Sequence, residues 1–207
     1  MPSVTRRRTP DPARHATIEA QILAATERLL AQGASFTDLG VQRIAAEAGV
    51  ARSTFYTHFR DKSELLMRLA NTMRTTAFDV ASGWTPATGP QALAEIFVEI
   101  VAIYREYAPV LNALNEVAAY DPTVRTFWAA ALNRFVENTA RLLRADREAG
   151  DAPADLDVGH AARIIVLGGD RAISEHVAAT GTDTTGDDAF ARELALIWWY
   201  GAHRRPS

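Results

Sequence analysis

The 207-residue sequence contains no cysteine, and Lys62 is the only lysine among its 22 basic side chains. Without thiols the chain cannot form disulfides, cysteine-ligated zinc or iron–sulfur sites, or use thiol catalysis. Its five histidines show no ligand spacing, so we expect no metal site and no cofactor. No GxSxG, HExxH, GxGxxG or P-loop pattern is present, and we therefore expect that the protein is not an enzyme.

Long hydrophobic runs are also missing. Charge or glycine interrupts every apolar stretch before it reaches 18 residues, which predicts no membrane span and no membrane partner. The first 16 residues are polar and basic and lack the apolar core of a signal peptide. Since 48% of the residues are hydrophobic, the chain can still bury a sizeable core, and we expect a cytoplasmic globular protein.

Charge is distributed unevenly along the chain. Residues 1–74 carry 11 basic and 7 acidic side chains, whereas the remainder carries 11 basic and 18 acidic ones. This division is typical of a phosphate-binding module joined to a body that does not bind phosphate. Chance segregation of solvated charges explains it equally well, so charge alone does not decide the function.

Hydrophobic periodicity predicts an all-α protein of about nine helices, without any useful strand pattern. The residues 82–90 are rich in Gly, Pro and Thr and are predicted as a linker. Asp61 and Glu64 are spaced as a capping box at the start of the fourth helix. The predicted helices cover about 17–32, 41–48, 51–58, 62–81, 91–107, 110–120, 122–149, 156–179 and 187–203.

The second and third helices are short and meet at Gly49-Val50, as in a helix–turn–helix. A helix of eight residues is roughly 12 Å long and fits the major groove of DNA. Phe55 and Phe59 are predicted to pack inward, since residues four apart share a helix face. The remaining side chains of the third helix supply donors, acceptors and methyl groups suited to phosphates and base edges.

The stretch 21–69 resembles the DNA-binding domain of the TetR family of transcriptional regulators. The resemblance rests on four segments in the family's order: Gln21–Ala25, Ile44–Val50, Ser53–Phe59 and Asp61–Leu66. It implies an N-terminal helix–turn–helix domain and a C-terminal helical domain for ligand binding and dimerisation. We accordingly predict a flexible basic arm at 1–16, the DNA-binding domain at 17–62 and the C-terminal domain at 63–207.

The resemblance also implies DNA contacts, which we assign by position in the motif. Tyr56 and Lys62 would grip phosphates, and Gln42 and Arg43 would touch the backbone from the second helix. The third helix would present Arg52, Ser53, Thr54 and Thr57 to bases or phosphates, with His58 at its end. Gly40 and Ala51 replace the Ser or Thr that usually cap the two short helices, which leaves their backbone amides freer to meet phosphate.

Between about residues 126 and 202, four segments are similar to the EthR-like branch of the family: Phe127-Trp128, Arg144–Gly150, Asp170-Arg171 and Ile197-Trp198. The resemblance implies an apolar tunnel that holds a small lipophilic ligand. Positions that carry Asn in that branch are Val166 and Gly169 here, so a ligand must be held differently. Ordinary core packing is the alternative for each aromatic residue considered singly. The candidate pocket residues are Phe97, Tyr104, Asn115, Phe127, Trp128, Leu132 and Trp198.

Gly168 and Gly169 lie side by side in the eighth predicted helix, where each costs about 1 kcal/mol of helix stability relative to alanine. We expect them to permit close helix–helix approach in a homodimer, with a kink or a ligand-facing gap as the alternative. The candidate interface residues are Leu167, Gly168, Ala172, Leu194, Ile197 and Tyr200.

These observations predict a dimeric repressor that binds a palindromic operator on double-stranded DNA. A small lipophilic ligand in the C-terminal domain would release it from the operator. A regulator of the same fold that is controlled by a partner protein, or an activator, is the alternative. The Arg6–Arg8 run is either a minor-groove arm or a solvated tail.

Overall fold

The computed structural model describes residues 12–204, and within that range every regular element is helical. The predicted fold class is confirmed. A short 3-10 turn, Pro86–Thr88, precedes α5, and a π turn, Trp199–His203, follows α9. The nine α-helices are α1 Pro12–Ala31, α2 Val41–Glu47, α3 Arg52–His58, α4 Lys62–Ser82, α5 Gly89–Glu106, α6 Ala108–Ala118, α7 Pro122–Ala149, α8 Val158–Thr180 and α9 Asp187–Trp198.

The structure corrects several predicted boundaries. Helix α1 begins at Pro12 rather than Thr17, so the last part of the predicted basic arm is helical. The rest of that arm, including Arg6–Arg8, lies outside the described residues. The predicted linker is shorter than expected because α5 already starts at Gly89, with Pro90 in its first turn. Proline is tolerated there because the first helical N–H groups have no intrahelical acceptor.

Helices α1, α2 and α3 form a small N-terminal core. Ile22 and Leu29 of α1 meet Ile44 of α2 and Phe55 of α3 in one buried cluster. Leu65, near the start of α4, closes the same cluster. Apolar burial therefore holds α1, α2 and α3 together, and α4 packs against them from its first turn.

Helix α4 links this N-terminal core to the body. Its Asp61 cap accepts a hydrogen bond from the Glu64 N–H at 2.8 Å, which is half of the predicted capping box. The Glu64 carboxylate returns to the N–H of Arg60 at 2.9 Å, one residue earlier than in the standard box. Further along, Leu66 and Leu69 pack with Leu114 of α6, and Met73 packs with the α5 core.

The C-terminal body is a bundle of α5 to α9. The largest cluster brings Phe97 and Val101 of α5 against Ala191 and Ala195 of α9, with Ile173 of α8 beside them. None of the helices found between residues 12 and 204 has the length and apolar character needed to cross a membrane. The bundle leaves a pocket between α4, α5, α7 and α8, which is described below.

Candidate DNA interface and ligand pocket

The turn between α2 and α3 fixes the direction of the exposed third helix. Gly49 has a φ of +68°, a conformation that non-glycine residues adopt only with strain. The N–H of Val50 donates to the carbonyl of Ala45 at 2.9 Å, and the N–H of Gly49 donates to Ala46 at 3.1 Å. These two bonds make a Schellman end for α2, so α3 leaves at a defined angle.

Helix α3 is anchored on one side and exposed on the other. Phe55 and Phe59 are 0% and 1% exposed, with ring centroids 5.5 Å apart, which confirms that they face inward. The outer face presents Tyr56, 49% exposed, beneath the guanidinium of Arg52 at 5.8 Å from its ring centroid. The exposed residues of this face are Arg52, Ser53, Tyr56 and Thr57.

The first turn of α2 adds two further polar side chains to this surface. Gln42 and Arg43 are both exposed. As the sequence indicates, neither Gly40 nor Ala51 provides a side-chain cap for the helix that follows it. The predicted contact residues of α2 and α3 are therefore mostly accessible to a nucleic acid, with the exceptions that follow.

Lys62 has a different environment from the one predicted. Its ammonium donates to the carbonyls of Phe36, Thr37 and Leu39, each at 2.9 Å. An ammonium has three N–H donors, so these bonds use all of them. Burial lowers the pKa of Lys62, although Asp38 nearby acts in the opposite direction. We correct its role from gripping phosphate to fixing the α1–α2 loop against α4.

His58 is also less available to DNA than predicted. Its ring packs on that of His15 with centroids 3.9 Å apart, and burial, followed by the His15 charge, lowers its pKa. His15, Glu19 and His58 place potential metal ligands within 4.8 Å of one another, a grouping that sequence spacing did not suggest. Ring packing and the Glu19–Arg68 ion pair at 3.0 Å account for this grouping. Thr54 is half-buried as well.

The corner between α6 and α7 contacts the α1–α2 loop and the start of α4 through polar side chains. The Glu116 carboxylate accepts from the hydroxyl of Ser35 at 3.2 Å and from the N–H of Thr37 at 3.3 Å. The hydroxyls of Thr37 and Tyr120 are 3.0 Å apart. The hydroxyl of Ser63, on α4, donates a further hydrogen bond to the carboxylate of Asp121 at 2.7 Å. We call Glu116, Tyr120 and Asp121 the corner contacts; sequence analysis missed them, because they join residues distant in the chain.

The pocket in the body contains about 760 Å³ of space, counted with its opening to solvent. Phe97, Tyr104, Leu132 and Trp198 line it, and these four belong to the predicted set. Its wall also includes Trp84, Ala77, Ala81, Phe135, Val166 and Gly169.

Three predicted pocket residues lie elsewhere. Phe127 and Trp128 pack against the cluster formed mainly by α4 and α6, and Trp128 also packs against the α5–α9 core, but neither lines the pocket. Asn115 is exposed and borders a separate groove beside Asn112 and Arg171. Helical periodicity gives the face of a helix but not which neighbour covers it, so the aromatic residues of α7 could not be sorted from sequence.

Two polar groups in the pocket wall were not anticipated. Asp170 accepts a hydrogen bond from the Tyr104 hydroxyl at 2.7 Å, and burial raises the pKa of Asp170 despite that bond. His203 is 0% exposed, and its Nδ1 lies 2.8 Å from Asp146. Burial lowers the pKa of His203, while Asp146 acts in the opposite direction. Both groups line the cavity, whose remaining wall is mainly apolar but also includes Asn138 and Thr139.

An apolar stripe runs along the outside of α8 and the end of α9. Ile164, Leu167, Ile197 and Tyr200 are between 36% and 69% exposed. Gly168 lies among them, and no atom would contact a Cβ built there. The predicted interface residue Leu194 faces inward instead, at 8% exposed in the α5–α9 core, and Ala172 is half-buried.

Comparison with known families and sequences gives concordant results. The sequence model described as "Bacterial regulatory proteins, tetR family" matches residues 22–69, and that of the "Transcriptional regulator EthR, C-terminal domain" matches residues 93–201. The HTH-type transcriptional regulator EthR of Mycolicibacterium smegmatis is 30% identical over 138 residues. That alignment covers 65% of this chain and 63% of the relative, a little under two thirds of its length.

Solved structures share the fold. A TetR-family transcriptional regulator from Mesorhizobium loti superimposes with a TM-score of 0.71 and 17% identity, covering 92% of this chain and 98% of that one. A transcriptional regulator from Saccharomonospora viridis in complex with choline gives a TM-score of 0.69 and 19% identity, covering 92% of this chain and 100% of that one. These likenesses agree with the arrangement of nine helices described above.

Proposed function

The chain belongs to the TetR family of bacterial transcriptional regulators, with a C-terminal domain of the EthR type, and we propose that it is a ligand-responsive repressor. Two copies would bind a palindromic operator, and a small lipophilic molecule in the pocket would release them. The observation that carries the proposal is the exposed polar face of α3, held by two buried phenylalanines on a helix–turn–helix. No catalytic motif competes with this interpretation.

The DNA contacts would come from α3 and the start of α2. Arg52, Ser53 and Thr57 would reach bases or adjacent phosphates, because their side chains are exposed on one short helix. Tyr56 would donate its hydroxyl to a phosphate, with the neighbouring Arg52 charge favouring the anion. Gln42 and Arg43 would hold the DNA backbone. Lys62 would act indirectly by holding the loop that positions α2.

Dimerisation would use the apolar stripe of α8 and α9. Two isoleucines, a leucine and a tyrosine are exposed on α8, at the end of α9 and just after it, and exposed large apolar side chains of this kind mark interfaces when they are grouped. A two-fold axis through this stripe would pair each helix with its copy in a four-helix interface. The two α3 helices would then address successive major grooves, about 34 Å apart.

Ligand binding would act on the DNA-binding part through α4. Ala77 and Ala81 near its C-terminal end line the pocket, whereas Lys62 in its first turn holds the α1–α2 loop. A ligand that favours a different tilt of α4 would change the separation of the two α3 helices. Because a ligand shifts an equilibrium only by its differential affinity, it must bind the DNA-incompetent state more tightly. The choline bound by the Saccharomonospora viridis regulator supports a small-molecule site in this fold.

The DNA-binding part of the proposal is tested with an operator selected from random duplexes by the purified protein. Fluorescence anisotropy would then compare Arg52→Ala and Tyr56→Phe with the wild type. Each should lose roughly tenfold or more in affinity, since a hydrogen bond to a charged group is worth about 1.5–3 kcal/mol. Arg144→Ala removes an exposed arginine from the body and serves as the matched control. Wild-type affinity in both α3 variants would exclude α3 as the reading helix.

The regulatory part is tested by a thermal-shift screen with lipophilic compounds, followed by operator titrations with each stabilising compound. If a stabilising compound releases the protein from its operator, the result supports a repressor that the ligand inactivates. A flat screen across a broad library would favour control by a partner protein. A promoter reporter would separate repressor from activator, because only a repressor lowers transcription when the ligand is absent.

A further inference from the structure

The ligand pocket has an unusual distribution of hydrogen-bonding groups. Most of its wall is aromatic or aliphatic, including Trp84, Phe97 and Trp198. Two polar side chains in that wall have acceptor capacity left over among residues 12–204: His203, whose buried Nε2 has no partner, and the half-buried Asp170, which accepts a hydrogen bond through Oδ1. Buried polar groups normally find partners, so an apolar cavity with unsatisfied acceptors indicates what its occupant must supply.

His203 presents a lone pair rather than an N–H. Its Nδ1 is 2.8 Å from Oδ2 of Asp146, and the same oxygen is 3.1 Å from Nη1 of Arg204. A carboxylate held by a guanidinium is ionised and accepts, so Nδ1 carries the hydrogen and donates. The other nitrogen, Nε2, is therefore the acceptor of a neutral imidazole. It is buried and has no hydrogen-bond partner among residues 12–204.

The Asp170 side chain is a half-buried carboxyl group. The hydroxyl of Tyr104 donates to its Oδ1, and no basic side chain of the described chain forms an ion pair with it. Arg171, next in sequence, pairs with Glu175 on the exposed side of α8. Burial removes part of the hydration of this carboxyl group and raises the pKa of Asp170, although the Tyr104 hydrogen bond and the Arg171 charge act in the opposite direction. A cation in the pocket would favour the ionised form.

We propose, building on the ligand pocket above, that the occupant is a lipophilic primary amine, which combines an apolar body with a protonated nitrogen. The ammonium would pair with Asp170 and has three N–H groups, enough to satisfy further acceptors such as Nε2 of His203. The faces of Trp84, Phe97 and Trp198 favour a cation as well as an apolar body. Carboxylates and esters fit poorly, since they accept hydrogen bonds and have no donor for the acceptors in the pocket wall.

The test uses three probes of one shape: 4-phenylbutylamine, 4-phenylbutyrate and methyl 4-phenylbutyrate. Isothermal titration of the full-length protein measures each affinity without DNA. The amine should bind at least tenfold more tightly than either oxygen compound, which corresponds to about 1.4 kcal/mol. Asp170→Asn and His203→Phe should each weaken the amine at least tenfold and leave the ester within about threefold. Asp188→Asn, an exposed carboxylate on α9, is the matched control.

Equal or tighter binding of the acid or ester overturns the inference, as does failure of the amine to bind at millimolar concentration. A variant that misfolds would lose the ester as well, so retention of ester binding shows that the pocket is intact. Operator titration is a separate measurement. If the amine binds as expected but the operator is not released, the proposed regulation fails while the ligand class stands. If the ester alone releases the operator, the regulation stands and the ligand class fails.

Discussion

Lys62 shows how a single residue can change its role between sequence and structure. It is the only lysine of the chain and follows the helix–turn–helix, where a cation suits DNA. The structure instead directs its ammonium to three carbonyls of the α1–α2 loop. A lysine is strongly hydrated and flexible, and three fixed acceptors are needed to hold it in this half-buried position. The three bonds hold the loop before α2 against the start of α4.

Replacing Lys62 by methionine should lower the stability of the folded protein. The variant keeps the side-chain length but leaves three carbonyls without their charged donor, at a cost of about 2 kcal/mol if water replaces part of the bonding. Thermal unfolding followed by circular dichroism measures the change. Arg60→Met removes a neighbouring, mostly exposed cation and should have little effect. If both variants melted at the same temperature, the three bonds would not stabilise the fold.

The buried imidazole of His203 predicts that the stability of the folded protein depends on pH. Its pKa is lowered in the folded protein, chiefly by burial, whereas the unfolded chain titrates near 6.5. Between these two values the unfolded state binds more protons, so stability rises with pH through this window and is complete above about 6.5. His203→Phe should show a smaller rise of the melting temperature between pH 5 and 7.5 than the wild type. An unchanged rise would contradict a neutral, buried imidazole.

At the scale of elements, the two adjacent glycines of α8 serve different neighbours. A Cβ on Gly169 would come within 3.1 Å of Cζ2 of Trp198, so this glycine makes room for the indole that lines the pocket. Gly168 points the other way, into the exposed stripe with Leu167. The sequence analysis left a close helix contact and a ligand-facing gap as alternatives for the glycine pair, and the two glycines differ in which alternative they favour. Gly169 favours the ligand-facing role, and Gly168 stays a predicted interface residue.

The stripe of α8 and α9 leads to a prediction about assembly. Ile197 is 63% exposed, and Ile197→Glu would place two negative charges near the two-fold axis of the proposed dimer. Burial of an unpaired charge is costly, so the dimer dissociation constant should rise at least a hundredfold. Sedimentation velocity at micromolar concentration would show the monomer. Arg192→Glu alters charge on another face of α9 and should remain dimeric, whereas a dimeric Ile197→Glu protein would exclude this interface.

At the scale of the whole molecule, polar contacts join the DNA-binding part and the body in two places, in addition to the apolar packing of Leu30 and Phe36 against α6. Helix α4 runs from the loop anchor at Lys62 to the pocket wall at Ala81. The corner contacts form a second connection, in which Glu116 receives two bonds from the α1–α2 loop. Hydrogen bonds from Thr37 and Ser35 lower the pKa of Glu116, so it stays ionised and accepts. Any tilt of α4 must strain or remake these bonds.

Glu116→Ala should weaken the coupling between ligand and operator more than it weakens operator binding itself. The variant frees the loop from the corner, so operator affinity should change less than about threefold. The factor by which a releasing ligand lowers operator affinity should fall at least threefold, because the two bonds from Glu116 to the loop are lost. Anisotropy titrations with and without ligand give both numbers. Glu99→Ala, which removes an exposed carboxylate of α5, is the control, and an unaltered factor in Glu116→Ala would show that the Glu116 bonds do not carry the coupling.

The sequence by itself determined the fold class, the short helices on either side of Gly49, and the inward phenylalanines of α3. These features are local, because helical periodicity, a helix-ending glycine and a four-residue spacing each depend on residues that are close together in the sequence. Helix ends were the weaker part, because proline and glycine near position 89 are compatible with a first helical turn as well as with a linker.

Only the tertiary structure decided which residues share the pocket and which partners occupy the polar side chains. Phe127 and Trp128 have the same character as Phe135, yet only Phe135 reaches the cavity. His203 and Asp146 are 57 positions apart and meet in the bundle. Such pairings depend on how helices pack against one another, which residue spacing within one helix does not encode. The unpartnered imidazole nitrogen of His203, on which the proposed ligand class partly rests, therefore became visible only when the bundle was assembled.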